Sequence, residues 1–155
     1  MKLVFDLSSL LWTTLLVGKS VEGRPVEDEE GKSVWINPAE YGYENAINSI
    51  ISTCTQLNAT PIHTIFVEEG VNSKARRLMI SREYKANRGK RPMEQYSEFA
   101  KLKGMVKEAM RGVGAIFVTQ DNVEADDVIS WFAKHTEEDI TIVSSDNDLS
   151  ALQGV

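Results

Sequence analysis

The chain is poor in cysteine and histidine and has no long apolar run, and each shortage excludes something. Its single cysteine, Cys54, permits no internal disulfide. Set in an apolar helical stretch, it reads as a buried small hydrophobe in a reducing, cytoplasmic setting. No segment reaches the roughly 20 apolar residues of a membrane span, so no membrane is expected. Residues 1–19 are apolar enough to suggest a signal peptide. Asp6 interrupts that run, however, and no small-x-small pattern precedes Gly18 or Lys19, so the segment is read as folded core. No internal repeat or low-complexity tract is present. The two histidines, His63 within an expected strand and His135 at an expected helix end, read as structural.

Positive charge is also short. Lys and Arg number 17 against 23 Asp and Glu, a net −6, which at first argues against a nucleic-acid partner, because basic side chains drive phosphate binding. Distribution matters more than the total. Lys74, Arg76, Arg77, Arg82, Lys85, Arg88, Lys90, Arg91, Lys101, Lys103 and Lys107 crowd one stretch, while residues 121–148 are predominantly acidic. Such segregation suits one surface facing a polyanion and another holding cations, or simply two differently charged solvated faces.

With 155 residues, 42% hydrophobic and 26% charged, the chain is expected to form one globular domain over residues 1–155. Runs rich in β-branched residues at 2–5, 62–67, 115–118 and 139–144 predict buried strands. Helical patterns lie at 8–17, 41–57, 94–111 and 124–134, with Asn58 and Gly112 as candidate C-terminal caps. The alternation predicts an α/β fold, a three-layer α/β/α sandwich with a mainly parallel central sheet. Residues 20–38 read as a surface loop or a hairpin ending in Val34-Trp35-Ile36. Residues 70–92 form a basic segment too long for an ordinary connector, which favours a functional arch or lid.

In open parallel sheets, ligands sit beyond the carboxyl ends of the strands. Acids are expected there after each strand: Asp6, then Glu68 with Glu69, then Glu124, Asp126 and Asp127 opening a helix, then Asp146 with Asp148. Any one of them has an ordinary explanation as a helix cap or first-turn acid. Their convergence does not, because clustered like charges repel unless cations or protons intervene. Glu124 and Asp127 are expected on one helix face with Asp126 to the side. Oxygen ligands without His or Cys suit Mg²⁺ or Mn²⁺, not zinc. The matching chemistry is phosphodiester hydrolysis with two divalent ions roughly 4 Å apart. With Asp6, Glu68, Glu124, Asp126, Asp127, Asp146 and Asp148 set aside, 16 acids remain against 17 basic residues, and the remainder is near neutral.

At this point the sequence resembles the 5′-nuclease superfamily: phage 5′-exonucleases, flap endonucleases and DNA polymerase I 5′-nuclease domains, on a PIN-like fold. The resemblance rests on Leu3-Val4-Phe5-Asp6 running to Trp12, Tyr41-Gly42-Tyr43, and Arg77 followed by Tyr84-Lys85-Ala86-Asn87-Arg88. It rests further on Glu124-Ala125-Asp126-Asp127 and Ser144-Ser145-Asp146-Asn147-Asp148. It implies that Asp6, Glu124, Asp126, Asp127, Asp146 and Asp148 bind metal, with Glu68 or Glu69 in place of the usual second-strand aspartate. It also implies that Lys85 and Arg88 contact the scissile phosphate, that Arg77 holds the 5′ end, and that Arg76, Arg82, Tyr84 and Lys90 bind substrate. The expected partners are DNA with a 5′ end or flap, and RNA–DNA hybrids. Family members continue into a helix-three-turn-helix half that lies outside these 155 residues, so the resemblance implies an N-terminal catalytic half, with the rest supplied by a separate chain or the half weakly active or inactive alone. The competing expectations are a PIN-type ribonuclease, or a non-catalytic nucleic-acid-binding remnant or split-enzyme subunit.

Overall fold

A computed structural model describes residues 1–70 and 91–144. The element order is β1 (Lys2–Asp6), α1 (Leu7–Leu16), β2 (Arg24–Glu27), β3 (Ser33–Ile36), α2 (Ala39–Gln56), a 3₁₀ turn (Pro61–His63), and β4 (Thr64–Glu69). Then come α3 (Met93–Gly112), β5 (Ile116–Gln120), α4 (Ala125–His135) and β6 (Ile140–Val143). The main sheet has the order β5-β4-β1-β6 with every pairing parallel, as the alternation of strands and helices required. β2 and β3 form a separate antiparallel hairpin in the 20–38 region.

The sheet is covered on both sides. Leu7, Leu11 and Leu15 of α1, Ala46, Ile50 and Cys54 of α2, and Leu102, Val106 and Met110 of α3 pack on the face carrying Leu3, Phe5 and Phe66. Ala125 and Ile129 of α4 pack on the opposite face, against Val4, Ile65 and Val67. This is the expected three-layer sandwich, three helices against one. Phe5, Phe66 and Phe117 occupy paired positions on three adjacent strands. Their rings stack, with centroids 4.7 and 5.0 Å apart, adding about 0.5–1.5 kcal/mol per pair beyond the area they bury. Asn37 ties the hairpin to the layer: its amide donates to the Leu15 and Gly18 carbonyls and its oxygen accepts from Ser20 N–H.

Local differences from the sequence expectation have local causes. Ile62 and His63 lie in the 3₁₀ turn, not in a strand, because Pro61 opens a capping box in which Thr60 and His63 satisfy one another's backbone. The strand is thereby displaced to Thr64–Glu69, so Glu68 and Glu69 lie inside it and pair with Thr119 and Gln120. Asn58 ends α2 in the left-handed conformation as expected (φ 52°). Gly112 does not play that part for α3, where Gly114 takes φ 96° and Val113 is the cap. β6 ends at Val143, before Ser144.

Candidate metal and nucleic-acid site

Because the four strands are parallel, their carboxyl ends form one edge, and each helix that runs back between strands begins at that edge. Asp6 closes β1 and immediately caps α1: its backbone is extended (φ −78°, ψ 102°) and its carboxylate accepts the Ser9 N–H at 3.3 Å. That cap is worth about 1 kcal/mol and fixes the side chain at the edge, where it is 7% exposed.

The paired glutamates of β4 separate, because successive strand residues point to opposite faces. Glu68 shares the face of Phe66 and meets Lys107 of α3, whose ammonium lies 2.9 and 3.0 Å from its two carboxylate oxygens. Both ends of the pair are shielded, Glu68 almost completely, and Lys107 also lies 5.8 Å over the Phe117 ring. Glu69 therefore turns to the α4 face, the side to which alternation from Val4 assigns Asp6. Its Oε2 is buried and has no hydrogen-bond partner among the described residues. Just beyond, Gly70 is required by crowding: a Cβ there would lie 2.2 Å from the Gln120 carbonyl oxygen.

α4 begins at the same edge. Glu124 is the residue before the helix, not its first residue (φ −72°, ψ 153°), so the expected i, i+3 pairing with Asp127 on a helix face is replaced by a cap-position acid beside two first-turn acids. Its carbonyl accepts the Asp127 N–H at 3.1 Å and its side chain is 1% exposed. The Asp126 carboxylate accepts the Asp127 N–H at 2.9 Å. Asp121 and Asn122 do not cap α4; they lie in the preceding turn, Asn122 at φ 66°.

Asp6, Glu69, Glu124, Asp126 and Asp127 are thus brought to one edge of the sheet, and Glu68 is drawn away by Lys107. Among the described residues, no three Asp, Glu, His or Cys side chains are gathered closely enough to hold a metal ion. Asp146, Asp148, Arg76, Arg77, Arg82, Tyr84, Lys85, Arg88 and Lys90 lie outside the described residues. From the sequence, Lys107 reads only as one basic residue of a crowded stretch, and Gly70 only as the start of the basic segment. Nothing local marks Lys107, whose partner is 39 positions away, whereas a glycine directly after a strand is a recognisable signal of close backbone approach. Burial pushes the Cys54 thiol up, in keeping with its reading as a small hydrophobe. Among the described residues, no helix is long and apolar enough to cross a membrane.

Comparison with known proteins follows the same lines. A family model described as 5′-3′ exonuclease, N-terminal resolvase-like domain, matches residues 27–154. A DNA polymerase I of Rhizobium leguminosarum is 35% identical over 101 residues, covering 63% of this chain and 9% of that protein. A bacteriophage T5 protein co-crystallised with metal ions superposes with a TM-score of 0.61 at 19% identity, over 97% of this chain and 50% of that one. The T5 5′-exonuclease with bound zinc gives 0.59 at 21%, over 97% and 51%. A T5 flap endonuclease in a pseudo-enzyme-product complex with DNA and metal ions gives 0.59 at 20%, over 94% and 48%. At these identities the structural likeness bears on the fold alone. The chain spans about half the length of the phage proteins and a small part of the polymerase.

Proposed function

The chain belongs to the family of 5′-3′ exonuclease N-terminal, resolvase-like domains, and from that premise we propose that it is the catalytic part of a divalent-metal-dependent 5′-nuclease hydrolysing DNA phosphodiesters. The observation that carries the reading is the delivery of carboxylates from β1, β4 and the start of α4 to one edge of a parallel sheet, with Asp6 and Glu124 almost wholly buried. Carboxylates delivered to one edge repel one another, and a bound cation relieves that repulsion. An all-oxygen donor set fits Mg²⁺ or Mn²⁺. The described carboxylates do not form a closed set of three, so the reading needs Asp146 and Asp148 alongside Asp6, Glu124, Asp126 and Asp127. On β4, Glu69 is the acid facing this group, since Glu68 is held by Lys107.

Two divalent ions, when bound, would supply an activated water and charge neutralisation at the phosphate. The protein's own contribution is placement. The α1 cap fixes Asp6, and the Glu68–Lys107 pair forms a charge-neutral wall beside the edge. Lys85 and Arg88 meet the scissile phosphate, Arg77 holds the 5′ end, and Arg76, Arg82, Tyr84 and Lys90 contact the substrate. DNA with a 5′ end or flap is the proposed substrate, with RNA–DNA hybrids also accepted.

The test is incubation with a 5′-flap DNA, a blunt duplex and a single-stranded RNA, each with Mg²⁺, Mn²⁺ or chelator. Metal-dependent cleavage of the flap or duplex from its 5′ end is the expected result. Cleavage of RNA alone would overturn the DNA assignment, and no cleavage of any substrate would leave a binding role or a split enzyme.

A further inference from the structure

Arg91 lies at the end of the basic segment and precedes Pro92. A following proline disfavours helical backbone at Arg91, and the helix begins only at Met93. The guanidinium lies 4.3 Å over the Trp12 ring of α1. That indole is immobilised in turn, stacked on Phe99 with centroids 4.0 Å apart and planes 15° apart, and met edge-on by Tyr96 at 5.8 Å. Arg91 is exposed, and among the described residues none forms an ion pair with it. A guanidinium laid on an aromatic face loses conformational freedom yet keeps its in-plane N–H fork available, the geometry that grips a phosphate.

Its place in the fold is as telling as its contacts. α3 precedes the parallel strand β5 and so runs against the strands, which puts its start at the carboxyl edge. Trp12 lies six residues beyond Asp6, roughly 9 Å along α1, and helical side chains lean toward the helix N-terminus. The stack therefore leans toward the edge where the carboxylates collect.

We propose that Arg91 binds a backbone phosphate of the nucleic-acid substrate, with Trp12 as the positioning residue that holds its guanidinium ready. The proposal rests on the nuclease reading and adds a substrate contact at the end of the basic segment, where the chain enters α3.

The experiment is fluorescence anisotropy of a labelled 5′-overhang DNA duplex over a range of salt concentrations, with Ca²⁺ in place of Mg²⁺ so that binding is read before cleavage. Arg91→Ala should weaken binding roughly tenfold and reduce the slope of log Kd against log salt by about 1. Arg91→Lys should restore the slope and only part of the affinity, because an ammonium lacks the planar fork. Trp12→Phe should behave as wild type, whereas Trp12→Leu should lose affinity with the slope retained. Since Arg91 is exposed, its variants should melt as wild type does. Wild-type binding with an unchanged Kd and slope in Arg91→Ala overturns this proposal alone; failure of the wild-type protein to bind any DNA overturns it together with the nuclease reading.

Discussion

At the scale of single residues, the ion pair with Lys107 distinguishes Glu68 from Glu69 on β4. Removing one partner of a shielded pair leaves the other charge buried, at about 3 kcal/mol or more. Lys107→Met should therefore lower stability by about 2–3 kcal/mol in urea denaturation, the discount reflecting the 25% exposure of Lys107. The double variant with Glu68→Gln should recover most of the loss. Glu69→Gln should leave urea stability within about 1 kcal/mol and instead abolish part of the rise in melting temperature that Mg²⁺ produces. A Mg²⁺ response lost in Glu68→Gln and kept in Glu69→Gln would reverse the assignment. Asp6 invites a similar separation. Asparagine caps a helix as well as aspartate does, so Asp6→Asn should keep stability but lose Mg²⁺ response, whereas Asp6→Ala should also lose about 1 kcal/mol of the α1 cap.

At the scale of elements, the close approach of β4 and β5 at the site edge depends on Gly70. A Cβ there would collide with the Gln120 backbone, not with a movable side-chain tip, so Gly70→Ala must push the strand ends apart. A loss of about 1–3 kcal/mol is expected, the usual cost of overpacking, measured by the urea midpoint. Gly104, inside α3, is the internal control: an added Cβ meets nothing within 4 Å, and Gly104→Ala should stabilise by up to about 1 kcal/mol through helix propensity. Cys54 belongs to the packing of α2 on the same face of the sheet as α3. With its thiol pushed up by burial, less thiolate exists at any given pH than for a free cysteine, so alkylation in the native state should be slow at neutral pH and become fast only on unfolding.

At the scale of the whole molecule, the proposed metal site would couple stability to divalent ions. Ligand that binds only the folded state adds RT ln(1 + [L]/Kd), about 2.7 kcal/mol at a hundredfold excess over Kd, which for a chain of this size raises the melting temperature by several degrees. Mg²⁺ should produce such a rise in the wild-type protein and a much smaller one in Asp146→Asn. Equal shifts in both, or none in the wild type, would remove the metal site from this chain. The charge balance works the same way: net −6 overall, with the excess gathered where cations are proposed to sit.

How far sequence and structure each determined these features follows from the range of the forces involved. Local signals sufficed for the alternation of strands and helices and for the parallel sheet between helical layers, because backbone geometry and hydrophobic period act over a few residues. Asp6 and Asn58 were legible as edge acid and left-handed terminator for that reason. The small displacements were local as well, Pro61 and Thr60 turning two expected strand residues into a 3₁₀ turn. Contacts between residues far apart in the chain were beyond such signals. Lys107 claims Glu68 across 39 positions, Gly70 fits beneath Gln120, and Arg91 settles on Trp12. The sequence by itself determined that this chain carries a carboxylate edge and a basic stretch; only the packing of α3 and α1 against the sheet decided which glutamate faces that edge and which arginine is held beside it, because side-chain direction is set by the partner across the layer.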